Sequence, residues 1–278
     1  MPVVQTAPDL QTWYRIDDFT DPWTSAPWIV LMHGVAENSD AWYGWIPHLS
    51  RRYRVLRFDV RGFGRSSPMP RDYDWPFERL GDDLLALTDH LGIERFHLVS
   101  AKVGGTMALH FASRGPACLQ SLAVLGTPVV TATAKDAGYS SQEIDEHGVG
   151  HWARRTMHNR LGSVMPPEAQ EWWAQMMETT PASTQSGFLR LLPDIDIRPL
   201  LPNVQCPTLV VTTGDPNNPA QNITGIESTK AWQSTIPNSE FLVIGNDSFH
   251  VAATAPDLAA EAVLKFIDRH EPSLRSRQ

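Results

Sequence analysis

Residues 97–112, HLVSAKVGGTMALHFA, put a lysine where a strand-like run gives way to a helix-like one. The apolar run ends at Ser100, Lys102 follows after one alanine, and Gly104 and Gly105 open the helical stretch. A strand, a sharp turn and a helix in that order set one side chain, Lys102, at the tip of the turn. A lysine at a helix N-terminus meets a dipole that disfavours its positive charge. Its uncharged amine adds to a ketone or aldehyde, and the iminium that results is an electron sink for decarboxylation, retro-aldol cleavage or C–C bond hydrolysis. Kept as an ammonium, the same group pairs with a substrate carboxylate or steadies an enolate. A third use is as general base for a water. Acyl transfer to the amine is excluded as a turnover route, because the amide so formed resists hydrolysis.

The elements that must position this lysine are legible on both sides of it. WIVLMHG (28–34) and YRVLRFDVRGFGRSS (53–67) read as strands followed by glycine-rich turns, and SDAWYGWIPHLSRRY (39–53) reads as a helix. Leu80, Leu84, Leu87 and Leu91 give 77–93 a helical period that Gly92 ends. LQSLAVLGTP (119–128) is another strand. Strands alternating with helices predict a doubly wound, mostly parallel α/β sheet. From 129 to 202 no strand is expected; HGVGHWARRTMHNRLG, PPEAQEWWAQMMETT and SGFLRLLPDIDI read as helices. Alternation resumes with CPTLVVTTGD, IESTKAWQSTIP, SEFLVIGNDSFH and PDLAAEAVLKFIDRH. The division expected is a core of 1–128 and 203–278 with a helical cap of 129–202 over the carboxyl ends of the strands, where open sheets place ligands. The tail after Pro272 is expected to fray.

Taken together these segments resemble the α/β-hydrolase fold superfamily, in its capped, lactonase-like and C–C-hydrolase-like form. His33 and Gly34 end the first strong strand as in that family's oxyanion loop, and DVRGFGRSS (59–67) is similar to its Asp-x-Arg-Gly-x-Gly-x-Ser stretch. VSAKVGG sits at the nucleophile elbow, usually Gly-x-Ser-x-Gly-Gly. TLVVTTGDPNNP and NDSFHVAATAPDLAAEAVLKFI resemble the segments that carry the acid and the histidine. The resemblance implies Lys102 at the nucleophile position, Asn217 at the acid position and His250 as the histidine, so a Ser-Asp-His triad has become Lys-Asn-His. It implies Val35 and Val103 as the oxyanion-hole donors. Asn217 removes an anion that would favour an ammonium, which pushes Lys102 toward its uncharged form. Asp215 and Asp247 are alternative partners for His250. Ser100 and Ser248 are weighed as substitute nucleophiles and set aside, one for its place in the strand and the other for its loop.

The function expected is an enzyme acting on a small carbonyl compound, with Lys102 as imine former or cation and His250 as proton shuttle. Two alternatives stay open. One is a hydrolase of esters or lactones, by water activation or with Lys102 as a laboratory replacement. The other is a non-catalytic small-molecule binder. Glu37, Asn38 and Trp42 follow the oxyanion loop and, with Trp152, are candidate substrate contacts. Trp172, Trp173, Met176 and Met177 would suit the underside of a lid. His33, Asp59 and Arg61 are expected to tie their own turns together. His147, His151 and His158 lack the spacing of a metal site, and no metal is expected. No dinucleotide fingerprint or phosphate-binding loop occurs, so no organic cofactor is expected.

The bulk numbers bound the partners. A chain of 278 residues with 42% hydrophobic and 19% charged residues is ordinary for a soluble α/β domain. Its 31 acidic against 23 basic residues, net −8, argue against nucleic acid and against anionic membrane. No apolar run reaches the roughly 18 residues of a membrane span. The two cysteines, Cys118 and Cys206, read as buried thiols of a reducing compartment, so the location expected is cytoplasmic. A small-molecule substrate is the expected partner, and a homodimer is left open.

Overall fold

In a computed structural model that describes residues 2–131, 140–214 and 225–271, the apolar runs become the inner strands of one sheet. Eight strands are described: β1 (Val3–Ala7), β2 (Leu10–Asp17), β3 (Trp28–Met32), β4 (Arg54–Phe58), β5 (Phe96–Ala101), β6 (Leu119–Leu125), β7 (Thr208–Thr213) and β8 (Ser239–Ile244). They lie side by side in the order β1-β2-β4-β3-β5-β6-β7-β8. β3 to β8 pair in parallel, whereas β1 with β2 and β2 with β4 are antiparallel. The antiparallel β1–β2 pair lies outside the sequence-derived alternation, because QTA and RID mix polar residues into short half-exposed strands.

Strands buried on both faces explain the continuous apolar runs. In β3, Val30 and Met32 face one core while Ile29 and Leu31 face the other. Leu56 and Phe58 against Val55 in β4 repeat the alternation, as do Phe96 and Leu98 against Val99 and Ala101 in β5. One face is covered by α2 (Phe77–His90) and α3 (Val103–Ser113). The other is covered by α1 (Ile46–Leu49) and α9 (Pro256–His270), with Ala259, Ala260, Val263, Phe266 and Ile267 packed beneath. Residues 39–45, expected to be α-helical, form a 3₁₀ turn that leads into α1.

Between β6 and β7 come α4 (Ser141–Leu161), α5 (Pro167–Glu178) and α6 (Ala182–Leu191). Gly148, at φ 83°, breaks α4 into two helical pieces. An antiparallel bridge of Val130 with Asp196 brings the two ends of this stretch together. It is tied to the loops at the strand ends: Thr180 Oγ1 donates to the Ala36 carbonyl at 3.1 Å and Met69 N–H donates to Thr184 Oγ1 at 2.9 Å. Two 3₁₀ turns, Leu192–Asp194 and Arg198–Asn203, and two short helices, α7 (Ile226–Gln233) and α8 (Val251–Thr254), complete the described elements. Among the described residues no helix is long and apolar enough to cross a membrane.

β3 has β4 on one side and β5 on the other, so the strand order reverses there. A crevice opens at the carboxyl ends of β3 and β5, and that is where Lys102 stands.

Candidate active site

Lys102 has φ 59° and ψ −137°, a backbone conformation that costs a non-glycine residue about 1–3 kcal/mol. The surroundings over-determine it. Lys102 N–H donates to the Leu125 carbonyl at 2.9 Å and the Lys102 carbonyl accepts from Gly105 N–H at 3.0 Å. A Cβ on Gly104 would collide with the His33 carbonyl oxygen, and one on Gly105 with Thr127 Oγ1. The glycine pair therefore serves the close approach of α3 to the ends of β3 and β6. Ser100 belongs to the strand, its hydroxyl donating to the Met32 carbonyl at 2.8 Å.

The lysine side chain turns inward. Lys102 is 6% exposed, its Nζ has no hydrogen-bond partner among the described residues, and Nζ lies 2.8 Å from the centroid of the Phe249 ring. Burial lowers its pKa well below the usual lysine value, and the charge of Arg160 adds to this, with Glu37 opposing. A ring face favours a cation by about 0.5–2 kcal/mol. An unpaired buried ion costs several kcal/mol. Burial outweighs the ring, and the balance shifts toward the uncharged amine.

Glu37 and His250 form the second half of the site. Glu37 Oε2 accepts from Gly34 N–H at 2.9 Å, and Oε1 lies 2.8 Å from His250 Nε2. Burial alone would raise the Glu37 pKa, but the charge and hydrogen bond of His250, with smaller help from His33 and Lys102, bring it down to about 2. The carboxylate is thus ionised, and the hydrogen shared with His250 resides on Nε2. His250 Nδ1 has no hydrogen-bond partner among the described residues, and Trp173 packs edge-on against the ring at 5.0 Å. The sequence placed an amide, Asn217, at the acid position; Asn217 and Asp215 lie outside the described residues. Asp247 is engaged elsewhere, accepting from Ser163 N–H at 3.0 Å beyond the end of α4. Ser248 Oγ bonds to Asn246 Oδ1 and Thr254 Oγ1.

Lys102, Glu37, Val35 and Val103 share the wall of one cavity of about 510 Å³ with Trp152, Arg160, Gln185 and Phe249. Val103 opens α3, so its N–H is among those a helix leaves without an internal acceptor.

Two candidate contacts are not on that wall. Trp42 is buried against Trp45 in the core beneath the opposite face of the sheet, drawn there by its apolar ring. Asn38 caps the 3₁₀ turn, its Oδ1 accepting from Asp40 N–H at 2.9 Å. Trp172 is partly exposed and packs on Tyr43, whereas Trp173, Met176 and Met177 are buried. His33 holds its loop, Nδ1–H donating to the Gly34 carbonyl at 2.7 Å and Nε2 accepting from Val60 N–H at 2.9 Å. Asp59 ties its own turn through Arg65 N–H and also accepts from Ser39 N–H of the 3₁₀ turn. Arg61 instead leaves its turn to grip Asp83 of α2 at 2.7 and 2.8 Å and Asp9 at 2.7 Å, because a buried guanidinium needs carboxylates. His147 and His151 sit ring to ring at 5.0 Å on the exposed side of α4. Both cysteines are free and half-buried.

Arg160 and Gln185 were not singled out in the sequence. A signal existed for the first: Trp152, Thr156 and Arg160 recur every four residues on the buried side of α4, and an arginine on such a stripe needs a reason. None existed for Gln185, which sits in the polar run ASTQSG.

The family model described as alpha/beta hydrolase fold matches residues 27–253. The 3-oxoadipate enol-lactonase 1 of Acinetobacter baylyi is 25% identical over 233 residues, covering 82% of this chain and 83% of that protein. The crystal structure of the enol-lactonase from Burkholderia xenovorans superposes with a TM-score of 0.84 at 20% identity, covering 96% of this chain and 99% of that one. A thermophilic esterase from Thermogutta terrifontis, solved with malate bound, gives a TM-score of 0.80 at 24% identity, with 94% and 95% covered.

Proposed function

The chain belongs to the alpha/beta hydrolase fold family, and on that premise we propose that it is an enzyme working on a small carbonyl compound through the uncharged amine of Lys102. The observation that carries this reading is the buried, unpartnered Nζ on a strained elbow at the wall of a cavity. A serine needs a base to become a nucleophile, whereas an uncharged amine already has its lone pair. In this reading Nζ adds to the substrate carbonyl carbon while Val35 and Val103 N–H steady the oxygen. One proton leaves the nitrogen and a second is delivered by His250, the oxygen departs with both as water, and a C=N bond forms whose nitrogen keeps one hydrogen and the positive charge. In the decarboxylation form the resulting iminium accepts the electron pair of the C–C bond to a β-carboxylate as it breaks, which leaves an enamine on the lysine and releases carbon dioxide. A proton then returns to carbon, and water releases the product and the free lysine. His250 Nδ1 is the proton-carrying atom, and Glu37, ionised and bonded to Nε2, steadies the ring when it is charged. Residues 129–202 serve as the cap that closes the cavity, consistent with the places of Trp152, Arg160 and Gln185 on its wall. Neither a metal nor an organic cofactor enters this scheme.

A second reading is favoured by the lactonase and esterase names among the similar proteins. Here Nζ takes a proton from a water, the water attacks an ester or lactone held by the same two N–H groups, and no bond to lysine forms. Intact-mass measurement after incubation with small ketones, aldehydes and β-keto acids plus borohydride separates the two. A reduced adduct on Lys102, absent from Lys102→Ala, supports the imine. Ester turnover without any adduct supports water activation and removes the imine reading.

A further inference from the structure

The bond from Glu37 to His250 joins two loops that are 213 residues apart, and the inserted helices reach both of its ends. Glu37 stands between Ala36 and Asn38, and each of these neighbours is bonded to the chain just past α5. Thr180 Oγ1 donates to the Ala36 carbonyl at 3.1 Å, and Asn38 Nδ2–H donates to Thr179 Oγ1 at 3.4 Å. At the other end of the bond, Trp173 of α5 packs against the His250 ring at 5.0 Å. Trp173 and Thr180 are about two helical turns apart, so one side of α5 and its terminal turn meets both loops.

The backbone at Ala36 explains why a bond is needed there. Its φ is 62°, and among the described residues only Trp75 and Lys102 share a positive φ without being glycine. A conformation of that kind persists only where the surroundings over-determine it. Ala36 is fully buried, and the hydroxyl of Thr180, also buried, meets its carbonyl. A buried carbonyl robbed of its donor is destabilising, so this contact is not interchangeable with apolar packing. The peptide concerned joins Ala36 to Glu37, and its orientation sets where the Glu37 side chain begins. α5 is itself braced from behind and beside: Arg154 of α4 pairs with Glu171 at 2.8 Å and Glu178 at 2.9 Å, and Trp172 packs on Tyr43 of the 3₁₀ turn at 5.0 Å.

We propose that Thr180 and Trp173 are positioning residues for the Glu37–His250 pair: Thr180 fixes the peptide between Ala36 and Glu37, and Trp173 fixes the plane of the imidazole. The inserted helices then do more than roof the cavity; they set the geometry of the proton carrier. This rests on the reading of His250 given above for its catalytic meaning only; the positioning stands on the contacts of Thr180 and Trp173.

The test is imidazole NMR of the nitrogen-labelled full chain, following the Nε2–H signal of His250, which is assigned by its loss in His250→Gln. Its exchange with water reads how firmly Glu37 holds it. Thr180→Val keeps the shape of the side chain and removes the donor, and exchange should become about tenfold faster. Thr180→Ser keeps the hydroxyl and should restore the wild-type rate. Trp173→Phe should speed exchange about threefold or more. Thr184→Val is the control: it removes a different bond between the inserted helices and the core, that from Met69 N–H, and should leave the His250 signal unchanged. The melting transition of each variant establishes that it is folded, and Trp173→Phe carries the test if Thr180→Val is not. No protected Nε2–H in wild type, unchanged exchange in Thr180→Val or Trp173→Phe, no rescue by Thr180→Ser, or equal acceleration in Thr184→Val overturns the proposal. The expected exchange pattern in a wild type that forms no borohydride adduct and turns over no ester would end the catalytic reading and leave the positioning standing. An adduct on Lys102 with exchange indifferent to Thr180 would do the reverse.

Discussion

Replacing Lys102 by methionine should make the protein more stable, and by an amount that depends on pH. Methionine is unbranched and one atom shorter than lysine, and it inherits the same φ of 59°, so the backbone strain cancels between the two proteins. What changes is the proton. In the native state burial, then Arg160, lowers the amine's pKa well below its usual value against the weaker pull of Glu37; in the unfolded chain it is an ammonium up to about pH 10.4. The native state therefore binds fewer protons than the unfolded one, and wild-type stability rises with pH by up to about 1.4 kcal/mol per unit. That rise spans the window from the lowered native pKa to the unfolded one and stops at either edge. Swapping a buried ionisable group for an apolar one of similar volume stabilises by about 1–4 kcal/mol. For a chain of this size that is a rise in Tm of roughly 2–16 °C near neutral pH. Thermal melts of both proteins at pH 6, 7.5 and 9.5 measure it. The gain should shrink as the pH climbs toward 10, since wild type recovers what the variant never lost. A variant less stable than wild type, or a gain that does not change with pH, would show Lys102 to be a paired ammonium, and the uncharged-amine mechanism would fall with it.

Glu37→Gln leaves His250 without its counter-ion and should lower kcat by about 10²–10⁴, a typical loss for a proton-transfer pair. Because the Glu37 pKa falls to about 2 in the fold, its stabilisation is present above the unfolded carboxylate value and is lost as the pH drops toward 2. Acid melts of Glu37→Gln should lack that loss between about pH 4.3 and 2. Gly104→Ala drives a methyl into the His33 carbonyl oxygen, a backbone atom that cannot rotate away, and should cost about 1–3 kcal/mol or more by chemical denaturation. Lys102→Ser should show no burst of acyl-enzyme with activated esters in stopped-flow assays. His250 Nε2 is bonded to Glu37 at 2.8 Å, and Nδ1 alone would have to serve the new hydroxyl. A burst equal to that of an ordinary serine esterase would mean that the pair rearranges freely.

The inner strands were legible because a strand buried on both faces has no polar alternation to confuse it with a surface element. β3, β5 and β6 were read within a few residues of their observed ends. The β1–β2 hairpin was not, since short strands with one wet face resemble loops, and residues 39–45 were read as α-helix because 3₁₀ and α turns share their capping residues. The tail after Pro272 lies outside the described residues. Arg61 was assigned to its own turn because a sequence displays near neighbours, whereas its carboxylates come from 22 and 52 residues away.

The site itself divides along the same line. Lys102 announces itself because the strand–turn–glycine pattern around it is local, and a charged residue at its tip breaks the pattern. The partner of His250 is non-local: 213 residues separate it from Glu37. The carboxylate at 37 looks unrelated to Lys102 in the sequence, yet it bears on whether Lys102 keeps its proton. A carboxylate bonded directly to Nζ would hold it as an ammonium. In this fold the Glu37 carboxylate spends its oxygens on Gly34 and His250, reaching Lys102 only through space, while Phe249 covers the amine. The commitment of both Glu37 oxygens to Gly34 and His250 is therefore as much a part of the lysine's environment as its burial is.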